Sequence, residues 1–299
     1  MRRLFAPGTG VSAVNGDKSG VLYLCATPIG NLEDITLRVL RVLREVDLVA
    51  AEDTRRTRRL LSHYNIHKPI ISYHQHNRRR QGRHLLERLA RGDGVALVSD
   101  AGTPGISDPG EELVREALEK GISVVPLPGP SALLAALVVS GLPAGRFLFA
   151  GFIPGKGKER NRRLCGLAAE TGTIILYEAP HRLVRTLHDL AEILGDRRAC
   201  AARELTKLHE EVRRDTLNRL REHFATEPPR GEFVLLIEGV SKDEKLDGQG
   251  EWALLTPREH VDELVREGLT TNEAIKKVSR LRNLSRRELY KQIHGDLKN

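Results

Sequence analysis

From Val95 to Gly110 the chain reads Val-Ala-Leu-Val-Ser-Asp-Ala-Gly-Thr-Pro-Gly-Ile-Ser-Asp-Pro-Gly, a stretch whose residue types suit holding a small molecule against main chain. An apolar run gives way to Ser99-Asp100, then to a loop where Gly102 and Gly105 would let a ligand approach the backbone. Asp100 sets a carboxylate beside them. Two other stretches repeat the theme: Thr27-Pro28-Ile29-Gly30-Asn31 and Pro128-Gly129-Pro130-Ser131-Ala132. Glycine and proline at this density also suit tight turns without a ligand. Other chemistries are excluded more readily. Lys156 and Lys158 lie among glycines, but no Ser or Thr follows the lysine and the glycine spacing is wrong for a phosphate-binding P-loop. The dinucleotide-binding fingerprint is absent as well. Cys25, Cys165 and Cys200 are far apart without zinc spacing, and His74-Gln75-His76 has no cysteine nearby, so no metal site is expected.

The elements that must position these loops follow from periodicity. Val21–Ala26, Leu48–Ala51, Val95–Val98 and Ser123–Leu127 are short apolar runs, as in strands of a parallel sheet buried on both faces. Between them lie amphipathic stretches: Leu37, Leu40 and Val42-Leu43 after an Asp34 or Asn31 cap, then Leu60-Leu61, then Leu85, Leu86 and Leu89. Asp108 stands at an N-cap, Pro109 at the first helical position, and Glu111 and Glu112 at the positive end of the helix dipole. The helix Leu133–Val139 is almost wholly apolar and should be buried. This predicts one α/β domain over 20–142 and a linker at Gly141–Gly145. A second α/β domain over 146–240 follows, with strands at Phe147–Ala150, Thr173–Tyr177, Arg198–Arg203, Glu210–Thr216 on an edge and Gly231–Ile237. Less regular alternation there suggests a mixed sheet. Residues 1–19 read as a disordered extension without a signal-peptide core, and 241–255 as a linker. Over 256–299 three capping boxes, Thr256/Glu259, Thr270/Glu273 and Ser285/Glu288, predict a three-helix tail resembling a helix-turn-helix.

Charge points to the partner. The 299 residues carry a net +8, and only 4% are aromatic, so a polyanion held through phosphate contacts fits better than a base-stacking platform. Arg55, Arg56, Arg58 and Arg59 follow one strand, and Arg78-Arg79-Arg80 open or precede a helix; such runs are also commonly solvated helix faces. Arg280, Arg282, Arg286 and Arg287 cluster in the tail, which suits nucleic acid or packing equally. Well-separated thiols in apolar runs indicate a reduced, cytosolic protein, and no stretch approaches transmembrane length.

Seven motifs in order, Thr27–Leu32, Ala51–Arg55, Ser99–Pro104, Ile106–Gly110, Pro128–Ala132, Pro180–Arg182 and Arg203–Lys207, carry the chain further than composition does. It resembles the tetrapyrrole-methylase-like family of S-adenosylmethionine-dependent enzymes over about Gly20 to Val240. Within that family the motifs and the helical tail are similar to the branch that 2′-O-methylates a cytidine in the decoding region of 16S rRNA. Gly105 departs from the usual bulky apolar residue and Ala179 from the usual serine. Residues 1–19 lie outside the match.

The resemblance implies two α/β domains of the tetrapyrrole-methylase type with S-adenosylmethionine in the cleft between them, commonly in a homodimer. By position, the cofactor contacts are Pro28, Asp100, Gly102, Thr103, Ser131 and Ala132, with backbone near Tyr177, Ala202 and Phe233. Lys207, Glu178 or His181 would handle the proton of a ribose hydroxyl. Arg55, Arg56, Arg59, Arg79, Arg182 and Arg203 would meet RNA of the small ribosomal subunit. A capping role for Glu178 and His181, and a surface ion pair for Lys207, are equally compatible. A tetrapyrrole or other small-molecule methylase on the same fold, and a non-enzymatic nucleic-acid-binding protein, stand as alternatives.

Overall fold

The computed structural model describes residues 20–240, 255–282 and 284–294; the expectations for residues 1–19 and for the linker after Val240 lie outside them. The chain divides into two compact units at Ser131/Ala132.

The first unit is a five-stranded parallel sheet of order β3-β2-β4-β1-β5. Its strands are β1 (Val21–Cys25), β2 (Leu48–Ala51), β3 (Ile70–Ser72), β4 (Val95–Val98) and β5 (Ser123–Leu127). All four residues of β2 and of β4 are buried, because alternate side chains enter two different cores. Val49, Ala51, Ala96 and Val98 meet Val39, Val42 and Leu43 of α1 (Leu37–Glu45) and Leu61 of α2 (Thr54–His63). Leu48, Ala50, Val95 and Leu97 meet Leu85, Leu86 and Leu89 of α3 (Arg78–Ala90) and Leu113 and Ala117 of α4 (Gly110–Glu119). The chain therefore leaves β1 for one face and the adjacent β4 for the other. Their loops part at the carboxyl ends of the strands, where an open α/β sheet takes its ligand.

Two local expectations for this unit shift. Thr36, not Asp34 or Asn31, caps α1, accepting from the Val39 amide at 3.2 Å; Asn31 instead accepts from Glu33 ahead of a short 3-10 turn. Leu37, expected on the apolar face, is 85% exposed, since the true stripe starts two residues later at Val39.

The second unit holds a mixed sheet of order β6-β7-β10-β8-β9. Its strands are β6 (Phe147–Phe152), β7 (Thr173–Glu178), β8 (Arg198–Arg203), β9 (Glu211–Thr216) and β10 (Phe233–Ile237). β6 runs parallel to β7, the remaining pairings are antiparallel, and β9 takes the expected edge. One face is covered by α6 (Lys158–Gly166), α7 (Pro180–Leu194) and α8 (Leu217–Thr226), which supply the leucines and Phe224 of the core. Against the other lies α5 (Ala132–Ser140), packed on β8, β9 and β10.

That corrects two expectations about α5. It belongs to the second unit, so the boundary falls at Ser131/Ala132 and not after Leu142. Nor is it wholly buried: Leu133, Ala136 and Leu137 face the sheet, while Leu134 and Val138 are 50% and 75% exposed.

The tail forms α9 (Pro257–Arg266), α10 (Thr271–Leu281) and α11 (Arg286–His294) around Val261, Leu264, Ile275, Val278 and Leu289. The first capping box is complete, with Thr256 and Glu259 satisfying each other's amides. The second is reciprocal too, through Thr270 and Glu273. In the third, Ser285 accepts from the Glu288 amide at 3.5 Å.

A buried arginine ties α6 to α7. Arg160 is 2% exposed, and its guanidinium donates to Asp189 at 2.9 Å, to the Thr186 hydroxyl at 3.0 Å and to the Pro154 carbonyl at 3.0 Å. Removing one partner of such a group strands the others in a water-poor site, so Arg160→Ala should cost about 3 kcal/mol of unfolding free energy. Urea titration checks this; a loss under about 1 kcal/mol would show the network to be dispensable.

Candidate functional site

The three glycine-proline loops of the first unit are stitched to one another. Thr27 and Gly102 exchange two backbone hydrogen bonds, both 2.9 Å, joining the loops after β1 and β4. The Thr27 hydroxyl donates to the Ser99 carbonyl at 3.1 Å, and the Thr103 hydroxyl donates to the Pro130 carbonyl at 3.2 Å, which brings in the loop after β5. Gly102 is required by its backbone: its φ is +81°, which side-chain-bearing residues rarely adopt, while a Cβ there would make only ordinary contact with the Ile29 side chain at 3.5 Å and the Pro130 carbonyl at 3.6 Å. Gly129 lies so close that a Cβ would meet that of Ala26 at 2.8 Å.

Gly102 is nonetheless buried, so it serves the approach of loop to loop rather than of ligand to backbone. The surface left open on this cluster comes from Gly30, Ala101, Pro128 and Gly129, with Pro28, Thr103 and Ser131 half-buried. Ala132 follows directly and opens α5. Gly105 serves a turn: its φ is +89°, no neighbour crowds it, and its amide donates to the Asp108 carboxylate at 2.9 Å. Asp108 also accepts from Gly110 at 2.7 Å, and α4 begins there, one residue later than expected.

Acidic groups surround the loop ends. Asp100 accepts from the Asp53 amide at 2.9 Å and lies 3.4 Å from Arg56. Its carboxylate thus fastens the start of α2 to the end of β4, a structural task the sequence reading did not assign. Asp53 caps α2 by accepting from the Arg55 amide at 2.8 Å. The Arg55 guanidinium binds both oxygens of Asp53, which holds this carboxyl down to about 2. Burial, then the charges of Asp100 and Asp108, push the Glu52 carboxyl up. Arg55 and Arg56 are therefore already paired, whereas Arg59 and Arg79 are exposed with no carboxylate partner among the described residues.

In the second unit the expected residues gather at one end of the sheet. Val234 pairs with both Tyr177 and Ala202, and Phe233 with both Glu178 and Arg203. Phe233 itself is core, 2% exposed and edge-on to Phe224. Tyr177 packs its ring against Phe149 and Phe152.

Glu178 departs from its expected role. It is buried, with one oxygen accepting from the Thr186 hydroxyl at 2.6 Å and the other from the Ala179 amide at 2.9 Å and facing Arg182 at 3.1 Å. A carboxylate so engaged orients its neighbours and is poorly placed to carry a substrate proton. Arg182 is taken as well, since it also donates to the Ile153 carbonyl, which withdraws it from phosphates. Arg203 sits 3.3 Å from Glu211. His181, in the first turn of α7, is exposed.

Lys207 belongs to a built loop. Its ammonium donates to Glu204 at 2.9 Å and to Glu232 at 3.1 Å. Burial draws its pKa down, but these two carboxylates outweigh that and leave it raised; it is a fixed cation and not a base. Glu204 and Thr206 hold left-handed backbone at φ 49° and 67°, strain of the kind found at functional loops. Glu204 also accepts from the Glu232 amide at 2.9 Å, and a Cβ on Gly231 would lie 2.5 Å from the Glu204 side chain. Sequence reading missed Glu204, Glu232, Gly231 and Thr186 as parts of the site. Two glutamates flanking a lysine at distances of 3 and 25 residues leave no periodic trace.

The fold has known counterparts. The chain belongs to the tetrapyrrole (corrin/porphyrin) methylase family, whose model matches residues 21–221. The same fold occurs in uroporphyrin-III C-methyltransferase from Thermus thermophilus complexed with S-adenyl homocysteine (TM-score 0.51, 22% identity), covering 73% of this chain and 97% of that one. The curated relatives carry one particular name, ribosomal RNA small subunit methyltransferase I. That of Bacillus subtilis is 46% identical over 92% of this chain and 94% of its own, and that of Synechocystis 49% over 91% and 96%.

The lysine loop makes a pH-dependent contribution. Burial pushes the Glu204 carboxyl up, but the Glu232 amide and Lys207 outweigh this and leave it below its ordinary 4.5. A lowered carboxyl stabilises the fold above 4.5 and loses that contribution as pH falls through its folded value. Thermal melts of Glu204→Gln should lie roughly 3 °C below wild type at pH 7, with the gap closing in acid. A gap that does not change with pH would contradict the charged role.

Proposed function

We propose that this protein transfers the methyl group of S-adenosylmethionine to a ribose 2′-hydroxyl of a cytidine in the decoding region of 16S rRNA, within the small ribosomal subunit. The observation that carries this reading is the likeness over more than nine-tenths of the chain to proteins named ribosomal RNA small subunit methyltransferase I. The net charge of +8, with Arg59 and Arg79 exposed and without a carboxylate partner among the described residues, suits such a polyanion.

The first unit fits the cofactor. Its stitched loops present small residues and open backbone, and Glu52, Asp100 and Asp108 set negative charge close by, favourable to a sulfonium and an ammonium. The sulfonium supplies an activated methyl group when bound. The protein's task is then to place the acceptor oxygen in line, which is where most of the rate advantage of such a transfer lies. In this reading Pro28, Thr103, Ser131 and Ala132 contact the cofactor, and Asp100 shapes the loop and contributes charge.

Of the three candidate groups for the proton, Lys207 is protonated and Glu178 is internally engaged. His181, exposed at the first turn of α7, is left to accept it at an imidazole nitrogen. Lys207 serves as a fixed positive charge toward a developing alkoxide or a neighbouring phosphate. Among the described residues no helix is long and apolar enough to cross a membrane. The buried, unpaired Cys25 and Cys200 suit the cytoplasm, and the exposed Leu134, Val138, Phe147 and Phe152 suit a homodimer.

Incubating full-length protein with methyl-labelled S-adenosylmethionine and undermethylated small subunits should label 16S rRNA at one cytidine, in an alkali-resistant linkage. His181→Ala should lower kcat on the order of 100-fold, and Lys207→Met should lower it by a similar factor. Label on a base, or label entering uroporphyrinogen but not RNA, would refute the reading.

A further inference from the structure

The cations of α2 fall into two sets. Arg55 and Arg56, in its first turn, are answered by Asp53 and Asp100. Arg58 and Arg59, one turn on, are exposed and have no carboxylate partner among the described residues. Arg58 opens onto a cleft of about 550 Å³ built where α2 ends.

The end of α2 explains how this cleft arises. After His63, Asn65 adopts a left-handed φ of 52°, its amide donates to the Ser62 carbonyl at 3.1 Å, and the Ile66 amide reaches back to Leu61 at 2.9 Å. That bend closes the helix and reverses the chain. His67 and Lys68 come to lie beside Arg58, just ahead of β3. Buried Leu61 and Ile66 line the cleft together with Ser62, and no aspartate or glutamate lines it. Three basic side chains beside apolar ones, with no acid among them, suit a phosphate-bearing chain.

Position argues for a polymer. β3 begins at Ile70, so the cleft is at the amino end of the parallel sheet, whereas the stitched loops are at its carboxyl end. The ten residues of α2 separate the two regions by about 15 Å. A tetrapyrrole would occupy one region only. A folded RNA can reach both.

We propose that the Arg58–His67–Lys68 cleft is a second binding site, for the sugar–phosphate backbone of the RNA substrate, remote from the loops that hold the cofactor. It rests on the rRNA reading for the identity of the polyanion, and it moves the RNA footprint of α2 from the paired Arg55 and Arg56 to its second half.

The test is binding of full-length protein to 16S rRNA by filter retention between 50 and 200 mM salt. R58A/K68A should weaken binding on the order of tenfold and lower the log–log salt slope by roughly 1.5, the share of two phosphate contacts. R41A, which removes a charge already answered by Glu45 at 2.9 Å, should change neither. If R58A/K68A fails to fold, R58Q/K68Q replaces it. Wild-type affinity and slope in a folded double variant would overturn the cleft even if the enzyme methylates RNA normally. An rRNA affinity that depends on the cleft in a protein unable to methylate RNA would support it while sinking the methyl-transfer reading alone.

Discussion

Two backbone hydrogen bonds between Thr27 and Gly102 underlie the first unit's candidate site. A parallel sheet sends every loop after a strand to the same end, where amides and carbonyls lose their ladder partners. Here the loops after β1 and β4 satisfy each other, and Thr27 and Thr103 extend the stitching to Ser99 and Pro130. The arrangement needs glycine at 102 for a left-handed backbone and glycine at 129 for space beside Ala26. It leaves a small-residue surface of Gly30, Ala101, Pro128 and Gly129. Glycines that invite a ligand reading from sequence thus act first on the protein itself.

The same distinction governs the charged residues. Asp100, Glu178, Arg182 and Arg203 stand where a ligand-binding or catalytic role is natural, yet each is engaged by a neighbour within its own unit. Pairing decides which charges remain for a substrate. On α2 it leaves Arg58 and Arg59, and around Lys207 it leaves a cation clamped between two glutamates. A clamped cation has a defined position and a raised pKa, both useful for meeting negative charge and both adverse to taking up a proton.

What sequence reveals here follows the range of the interactions involved. Strands β2, β4, β5 and β8 are legible to the residue, because a short apolar run between turn residues has few other solutions. The capping boxes at Thr256 and Thr270 are legible for the same local reason. α5 misleads because its composition announces burial without saying against which sheet. The roles of Arg160, Glu204 and Glu232 are invisible, since each depends on partners brought together by tertiary packing. Family resemblance located the loops and the ends of β7, β8 and β10. It did not show that Glu178 and Arg182 bind each other.

The central claim is that the stitched loops of the first unit hold the methyl donor. Titration calorimetry of S-adenosylmethionine into wild type and Gly102→Val tests it most directly, with thermal melts confirming that the variant keeps its fold. The account predicts measurable binding by wild type and at least a tenfold weaker Kd for the variant, since a β-branched residue at φ +81° must break the pairing with Thr27. A folded Gly102→Val that binds S-adenosylmethionine as tightly as wild type would contradict it.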